Sequence, residues 1–179
     1  IPVDVGGLPV NLNEINKIIN KETVKQKFSP TNEIQRKLGR ILVVSDAAHS
    51  FGAKYEGKSI GAEVDFTVFS FHAVKNLTTA EGGAICINLP SAFDNSEIYS
   101  QLNTLTLHGQ NKDALAKTQK GSWEYDVIDA GFKCNMTDIL ASIGLVELER
   151  YDTETLPKRK QIFQKYSNAF EQYDWAITP

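Results

Sequence analysis

Residues 66 to 88 read FTVFSFHAVKNLTTAEGGAICIN, and their pattern decides the fold class. Phe66, Val68, Phe69 and Phe71 make a run of strand formers, and after the Gly82-Gly83 pair a second short apolar run begins with Ala84, Ile85, Cys86 and Ile87. The spacing predicts two buried strands joined by a tight connection. A lone lysine, Lys75, lies in that connection among small and hydroxylated residues. Lysine is almost always exposed, so a surface-loop reading stands beside any other. A lysine held in a partly dry turn is easier to keep neutral, and the neutral amine is the form that attacks an aldehyde to make a Schiff base.

Upstream, residues 40 to 53 read RILVVSDAAHSFGA. Ile41, Leu42, Val43 and Val44 form a continuous apolar run, as expected of a parallel strand buried on both faces, and the run ends at Asp46. In open α/β sheets the carboxyl ends of the strands border the ligand crevice, so Asp46 and Lys75 are expected to approach a common point from neighbouring strand ends. Pyridoxal phosphate needs such a pair: a lysine for its aldehyde, and a carboxylate that keeps its pyridine nitrogen protonated so that the ring accepts electrons. Asp46 has a second reading as the cap of the following turn.

With these residues in place, the chain resembles the DegT, DnrJ and StrS type of nucleotide-sugar aminotransferases, within the fold-type I pyridoxal phosphate enzymes. Four segments carry the resemblance: IPVDVGGLPVNLNEI at the start, SDAAHSFGAKYEGKSIGAEVDFTVFSFHAVKNLTTAEGG in the middle, LHG at Leu107 to Gly109, and GFKCNMTDILASIGLVELERYD near residue 150. It runs from residue 1 to about 170. In the middle segment the acid, the histidine, the serine and the lysine fall in the family's order and spacing.

The resemblance implies that Lys75 holds the aldehyde of pyridoxal 5'-phosphate and later moves the proton between substrate carbon and cofactor. It also implies that Asp46 pairs with the pyridinium nitrogen and that Ala48 lies against one ring face. His49 is assigned to the phenolic oxygen or ring edge, Ser70 to the phosphate, and Asn135 to the phosphate of the neighbouring subunit's site. Residue chemistry leaves other roles open for some of these positions. His49 and His72 also read as core histidines with satisfied hydrogen bonds, His72 alternatively as part of a lid. Glu81, Gly82 and Gly83 read as turn formers. Thr78 and Thr79 either bind phosphate or close that turn, and His108, before a glycine, reads as a helix cap.

The implied fold is a three-layer α/β/α arrangement, part of a mainly parallel large domain. Residues 1–150 are read as the second half of that cofactor-binding domain, and residues 151–179 as the hinge and first helix of a smaller carboxyl-terminal domain. The expected reaction moves an amino group from an amino acid, L-glutamate by resemblance, to a keto group of a nucleotide-linked sugar. A dehydratase on the same scaffold is the nearest alternative, but in such relatives histidine replaces the lysine. A non-catalytic cofactor-binding relative is expected to lack Asp46 or Lys75. Composite sites in a homodimer follow from the assignment of Asn135. The chain begins at Ile1 without an initiator methionine and shows no counterpart of the family's upstream phosphate-cradling helix, so it is expected to be an internal piece of a longer polypeptide.

Composition narrows the partners. With 19 basic and 22 acidic side chains the net charge is -3, which gives no broad attraction to nucleic acid or to anionic membrane. Cys86 and Cys134 form neither a metal-ligand spacing nor a disulfide framework, and a cytoplasmic setting is expected. Coarsely, the pattern predicts strand, helix, helix, three strands, helix, a long loop and two helices. Ile15, Ile18 and Ile19 mark the first helix after Asn11 or Asn13. A second starts after Ser29-Pro30 and ends near Gly39. The segment 109 to 131 has no clean period. Thr137 is expected to cap an amphipathic helix through Ile139, Leu140, Ile143 and Leu148, broken by residues 150 to 157 before a last helix with Ile162, Tyr166, Phe170 and Tyr173 on one side.

Overall fold

The computed structural model describes residues 1–112 and 124–178. In chain order the elements are α1 (Leu12–Ile19), α2 (Glu22–Lys25), α3 (Glu33–Leu38), β1 (Val44–Asp46), β2 (Lys54–Tyr55), β3 (Lys58–Ser59), β4 (Phe66–Ser70), β5 (Gly83–Ile87), α4 (Asn95–Thr106), α5 (Asp138–Arg150) and α6 (Leu156–Phe170). A π-helical turn, Tyr151–Thr155, joins the last two. Residues 113–123 of the predicted segment 109 to 131 lie outside the described residues.

The local signals act as their chemistry dictates. Asn11 caps α1 by accepting from the Glu14 backbone N–H, and Asn32 caps α3 by accepting from Gln35. Gly39 then ends α3 in the left-handed region at φ 69°, where a Cβ is penalised. Thr137 caps α5 through Leu140 N. The residues predicted to break the helix at 150 to 157 do not break it. They widen it instead: Leu156 N–H donates to the Tyr151 carbonyl five residues back, and Pro157 sits in the first turn of α6, where its missing N–H costs nothing.

β1 runs parallel to β4, with Val44 opposite Phe66 and Asp46 opposite Val68. β5 returns antiparallel to β4, from Phe66 opposite Ile87 to Ser70 opposite Gly83. Val3 forms a parallel bridge to Asp46. That bridge gives the short opening strand its partner. Burial alternates along β4: Thr67 and Phe69 are buried, while Phe66, Val68 and Ser70 are half-buried. On β1, Ser45 is buried between the half-buried Val44 and Asp46, which places Asp46 and Ser70 on the same face of the sheet.

Leu12 and Ile19 of α1 pack with Val43 and Val64, and a second cluster joins Ala47, Ile60 and Phe69 to Phe51, Tyr55 and Phe71. Each fully buried aliphatic side chain contributes about 1.5–3 kcal/mol relative to exposure. Phe28, Ile34, Leu38, Phe93 and Ile98 line a cleft with Leu42 and Phe66, so α3 and α4 gather on the side away from α1. This is the predicted layering, with two corrections. β5, expected to be buried, has no buried residue and leaves Ile85 50% exposed, because it lies at the edge of the described sheet and pairs only with β4. The run Ile41 to Val44 is not a strand buried on both faces: β1 starts at Val44, Val43 turns inward to α1, and Ile41 and Leu42 are 47% and 44% exposed. Arg40 fixes this entry by a bidentate pair with Asp65, both oxygens at 2.7 Å, while Asp65 also accepts from Val43 N. The hairpin of β2 and β3, turning through Glu56-Gly57, had no expectation attached to it.

Candidate active site

Because β1 and β4 are parallel neighbours, their carboxyl ends open side by side, and the loops that leave them carry the predicted residues. After Asp46 the chain turns at once. Ala48 N–H donates to Asp46 Oδ1 at 3.1 Å, and Ser50 N–H donates to the Ala47 carbonyl. Asp46 therefore does cap its turn, as its second reading held. That role does not exhaust it, since a carboxylate has about four acceptor positions. The turn throws His49 outward, exposed, and Ala48 stays half-buried between the two.

From the other strand end, residues 71 to 82 double back as a knotted turn. Thr79 N–H donates to the Phe71 carbonyl, Phe71 N–H to that of Gly82, and the buried Thr79 hydroxyl to that of Glu81. Thr78 Oγ1 donates to the Phe71 carbonyl and accepts from Ala80 N. The two threonines thus close the turn. Gly82 has φ 157°, and a Cβ there would lie 2.5 Å from Thr79 Oγ1 and 2.8 Å from Met136 Cε, so the paired glycines are needed for close approach. Lys75 N–H donates to the His72 carbonyl, which fixes the lysine at the head of this turn.

The two loops meet through side chains in a way that sequence spacing does not supply. Lys75 Nζ lies 2.7 Å from His49 Nε2, and the lysine is half-buried. His49 is thus no core histidine. Nor is His72, which is exposed with Nε2 3.7 Å from Glu81 Oε1. Ser70, at the end of β4, accepts a 3.4 Å hydrogen bond from His72 N–H. Asn135 stands apart from this group: it is exposed, accepts from Lys133 Nζ and donates to the Met136 carbonyl. His108 adopts the left-handed region at φ 59°, and Gly109 N–H returns to the Thr104 carbonyl, so its backbone ends α4 as a cap.

Three positions outside the predicted set hold this arrangement. Asn76 Nδ2 donates to the carbonyls of His49 (3.0 Å) and Phe51 (3.2 Å). Tyr151, 3% exposed, donates its hydroxyl to the same Phe51 carbonyl at 2.7 Å and sets its ring edge-on to Phe51, centroids 5.2 Å apart. Burial pushes its phenol pKa up. Gly7, at φ 88°, lets the opening loop approach so closely that a Cβ would lie 2.8 Å from the His49 carbonyl oxygen. Only Gly6-Gly7 carried a sequence signal for such an approach. A cleft of about 640 Å³ separates Gly6, Gly7, His49 and Asn76 from Arg159, Phe163 and Tyr166 of α6.

An amine paired with an imidazole, a carboxylate and a hydroxyl thus lie on or just beyond the carboxyl ends of two parallel strands, with the small Ala48 between Asp46 and His49 in the chain. This donor set fits pyridoxal phosphate: one amine for the aldehyde, one acid for the ring nitrogen, a hydroxyl for phosphate. Among the described residues no group of three His, Cys, Asp or Glu side chains is placed to hold a metal ion. No helix among them is long and apolar enough to cross a membrane.

Comparison with known proteins agrees. The PMP-form of Spr1654 from Streptococcus pneumoniae superposes with a TM-score of 0.83 at 44% identity, over 95% of this chain and 42% of that one; its PLP-form gives 0.82 at 40%, over 96% and 41%. The spore coat polysaccharide biosynthesis protein SpsC of Bacillus subtilis is 39% identical over 78% of this chain and 34% of its own. The UDP-4-amino-4,6-dideoxy-N-acetyl-beta-L-altrosamine transaminase of Campylobacter jejuni is 31% identical over 98% of this chain and 39% of its own. The chain thus spans about 40% of the length of such relatives. A model of the DegT/DnrJ/EryC1/StrS aminotransferase family, whose enzymes depend on pyridoxal phosphate, matches residues 1–178, and this chain belongs to that family.

Proposed function

We propose that the full-length protein transfers an amino group from L-glutamate to the keto group of a nucleotide-linked sugar, in amino-sugar biosynthesis for cell-surface polysaccharide. The observation that carries this reading is Lys75 Nζ, half-buried and 2.7 Å from His49 Nε2 at the shared carboxyl edge of β1 and β4. Lysine at this position favours amino transfer over the dehydratase alternative.

Pyridoxal 5'-phosphate, when bound, supplies an aldehyde that accepts the amino group and a ring that accepts electrons. Asp46 holds the proton of the ring nitrogen, and Ala48 leaves room for the ring face. Ser70 Oγ takes phosphate oxygen, and its neighbour His72 N–H already points at that hydroxyl. Lys75 Nζ would hold the aldehyde, and its neutral amine, when free, would take a proton from the donor's α-carbon and later give one to the sugar carbon. His49 Nε2, within hydrogen-bonding reach, orients that amine and can hold its proton. Asn135 of each protomer serves the neighbour's phosphate in a cytoplasmic homodimer. Residues 1–150 belong to the large domain, and 151–179 to the hinge and first helix of the smaller one.

The test uses full-length protein, nitrogen-labelled glutamate and a panel of keto-sugar nucleotides, read by mass spectrometry. Label in the sugar supports the proposal. Loss of water from the sugar without label would favour a dehydratase, and borohydride fixing the cofactor on Lys54 or Lys58 would remove Lys75 from its role.

A further inference from the structure

We infer that Asn76 is a positioning residue that sets the Lys75 amine against the His49 imidazole; the inference rests on the reading of Lys75 as the reactive amine. Lys75 and Asn76 are adjacent, and both reach the same target. The Lys75 amine meets the side chain of His49, while the Asn76 carboxamide grips the backbone of His49 and of Phe51.

Three features separate this from an ordinary turn asparagine. First, an asparagine that merely shapes a turn bonds its own backbone about two residues on, whereas Asn76 reaches 27 and 25 residues back to the loop leaving another strand. Second, both partners are carbonyl oxygens, so the amide nitrogen must face them and both of its N–H groups are committed. Its orientation is fixed by two acceptors. Third, the gripped loop is braced from outside. Tyr151 Oη donates to the same Phe51 carbonyl at 2.7 Å, and Gly7 packs against the carbonyl of His49. The His49 backbone is thus held by Asn76 and flanked by Gly7, while its imidazole is left free to meet Lys75.

Asn76→Asp keeps the shape of the side chain but replaces the N–H donors with oxygen facing two carbonyls. The register between the loops should then be lost. The readout needs no turnover: the rate of Lys75 acylation by acetic anhydride in cofactor-free full-length protein at one neutral pH, measured by peptide mass spectrometry. In the native background His49→Ala should change that rate at least about twofold, the lower end of coupling between residues in contact. In the Asn76→Asp background it should change nothing. An equal effect of His49→Ala in both backgrounds would overturn the inference, and so would no effect in the native one. Circular dichroism and urea unfolding precede the labelling. Asn76→Ser, smaller and uncharged, takes the place of Asn76→Asp if that variant does not fold. Failure of sugar amination leaves this measurement standing, so the two proposals fail separately.

Discussion

Gly52→Ala is the sharpest perturbation the structure offers, because its cost divides into a backbone part and a part set by one neighbour, and the two can be separated. Gly52 follows Phe51 with φ 79°, and a Cβ there would lie 2.4 Å from Tyr151 Cε1, 2.5 Å from its hydroxyl oxygen and 2.7 Å from Cζ. The ring cannot step aside freely, since it is 3% exposed, bonded to the Phe51 carbonyl and edge-on to the Phe51 ring. A left-handed backbone costs an L-residue roughly 1–2 kcal/mol, the lost hydrogen bond about 1, and the lost aromatic contact about 1, for a total of about 3–4 kcal/mol. The assay is urea unfolding of full-length protein in a double-mutant cycle with Tyr151→Ala. With the ring gone only the backbone cost remains, so Gly52→Ala should then cost about 1–2 kcal/mol. Costs that agree to within about 0.5 kcal/mol in the two backgrounds would refute the assignment of Tyr151 as the obstructing group.

Other expectations follow from the same contacts. Arg40→Met strands the buried Asp65 carboxylate and should cost about 3–5 kcal/mol in urea unfolding. Asp46→Asn should still allow borohydride to fix the cofactor on Lys75 but slow amino transfer by about 100-fold or more in single-turnover assays. The raised phenol pKa of Tyr151 means that the unfolded chain releases its proton first, near pH ~10. Its contribution to stability is therefore complete below that pH and falls as pH rises towards the folded value. Tyr151→Phe should abolish that part of the alkaline loss, seen in urea midpoints on either side of about pH 10. Mixing inactive Lys75→Ala with inactive Asn135→Ala protomers should recover activity if sites are shared between subunits, and verified mixed dimers without activity would show self-contained sites.

Much of the fold was legible because its signals are local. Asn11 and Thr137 cap helices through their own side chains, Gly39 ends one through its backbone, and the run from Phe66 forms a strand, although Asn32 rather than Ser29-Pro30 starts α3. The apolar runs also placed Asp46 and the lysine turn at the ends of neighbouring strands, whereas His49 and Ser70 were named only through the resemblance. What was not legible depends on contacts across long separations. The apolar run from Ile41 to Val44 looks uniform in sequence, and only the pairing of Arg40 with Asp65 shows where the strand begins. Asn76 and Tyr151 reach carbonyl groups, which every residue possesses, so nothing in the composition of their targets marks them. Residues 150 to 157, with Pro157, carry helix-ending signals, yet a proline in the first turn of a helix is also compatible with continuation.

That continuation has a consequence for how the cleft is built. A π turn takes up one residue more than an α turn, so the helix that follows arrives about 100° further round its axis than an unbroken α-helix would bring it. Which side chains of α6 look towards His49 is therefore a matter of phase, set by the five residues YDTET. Loss of a single residue from Asp152 to Glu154 would swing Arg159, Phe163 and Tyr166 off the cleft and bring a neighbouring stripe of the helix to it. Tyr151, still anchored to Phe51, would leave the loops around Lys75 where they are. A one-residue change here resurfaces one wall of the cavity while leaving the strand ends untouched, a route by which related chains can diverge in what they admit.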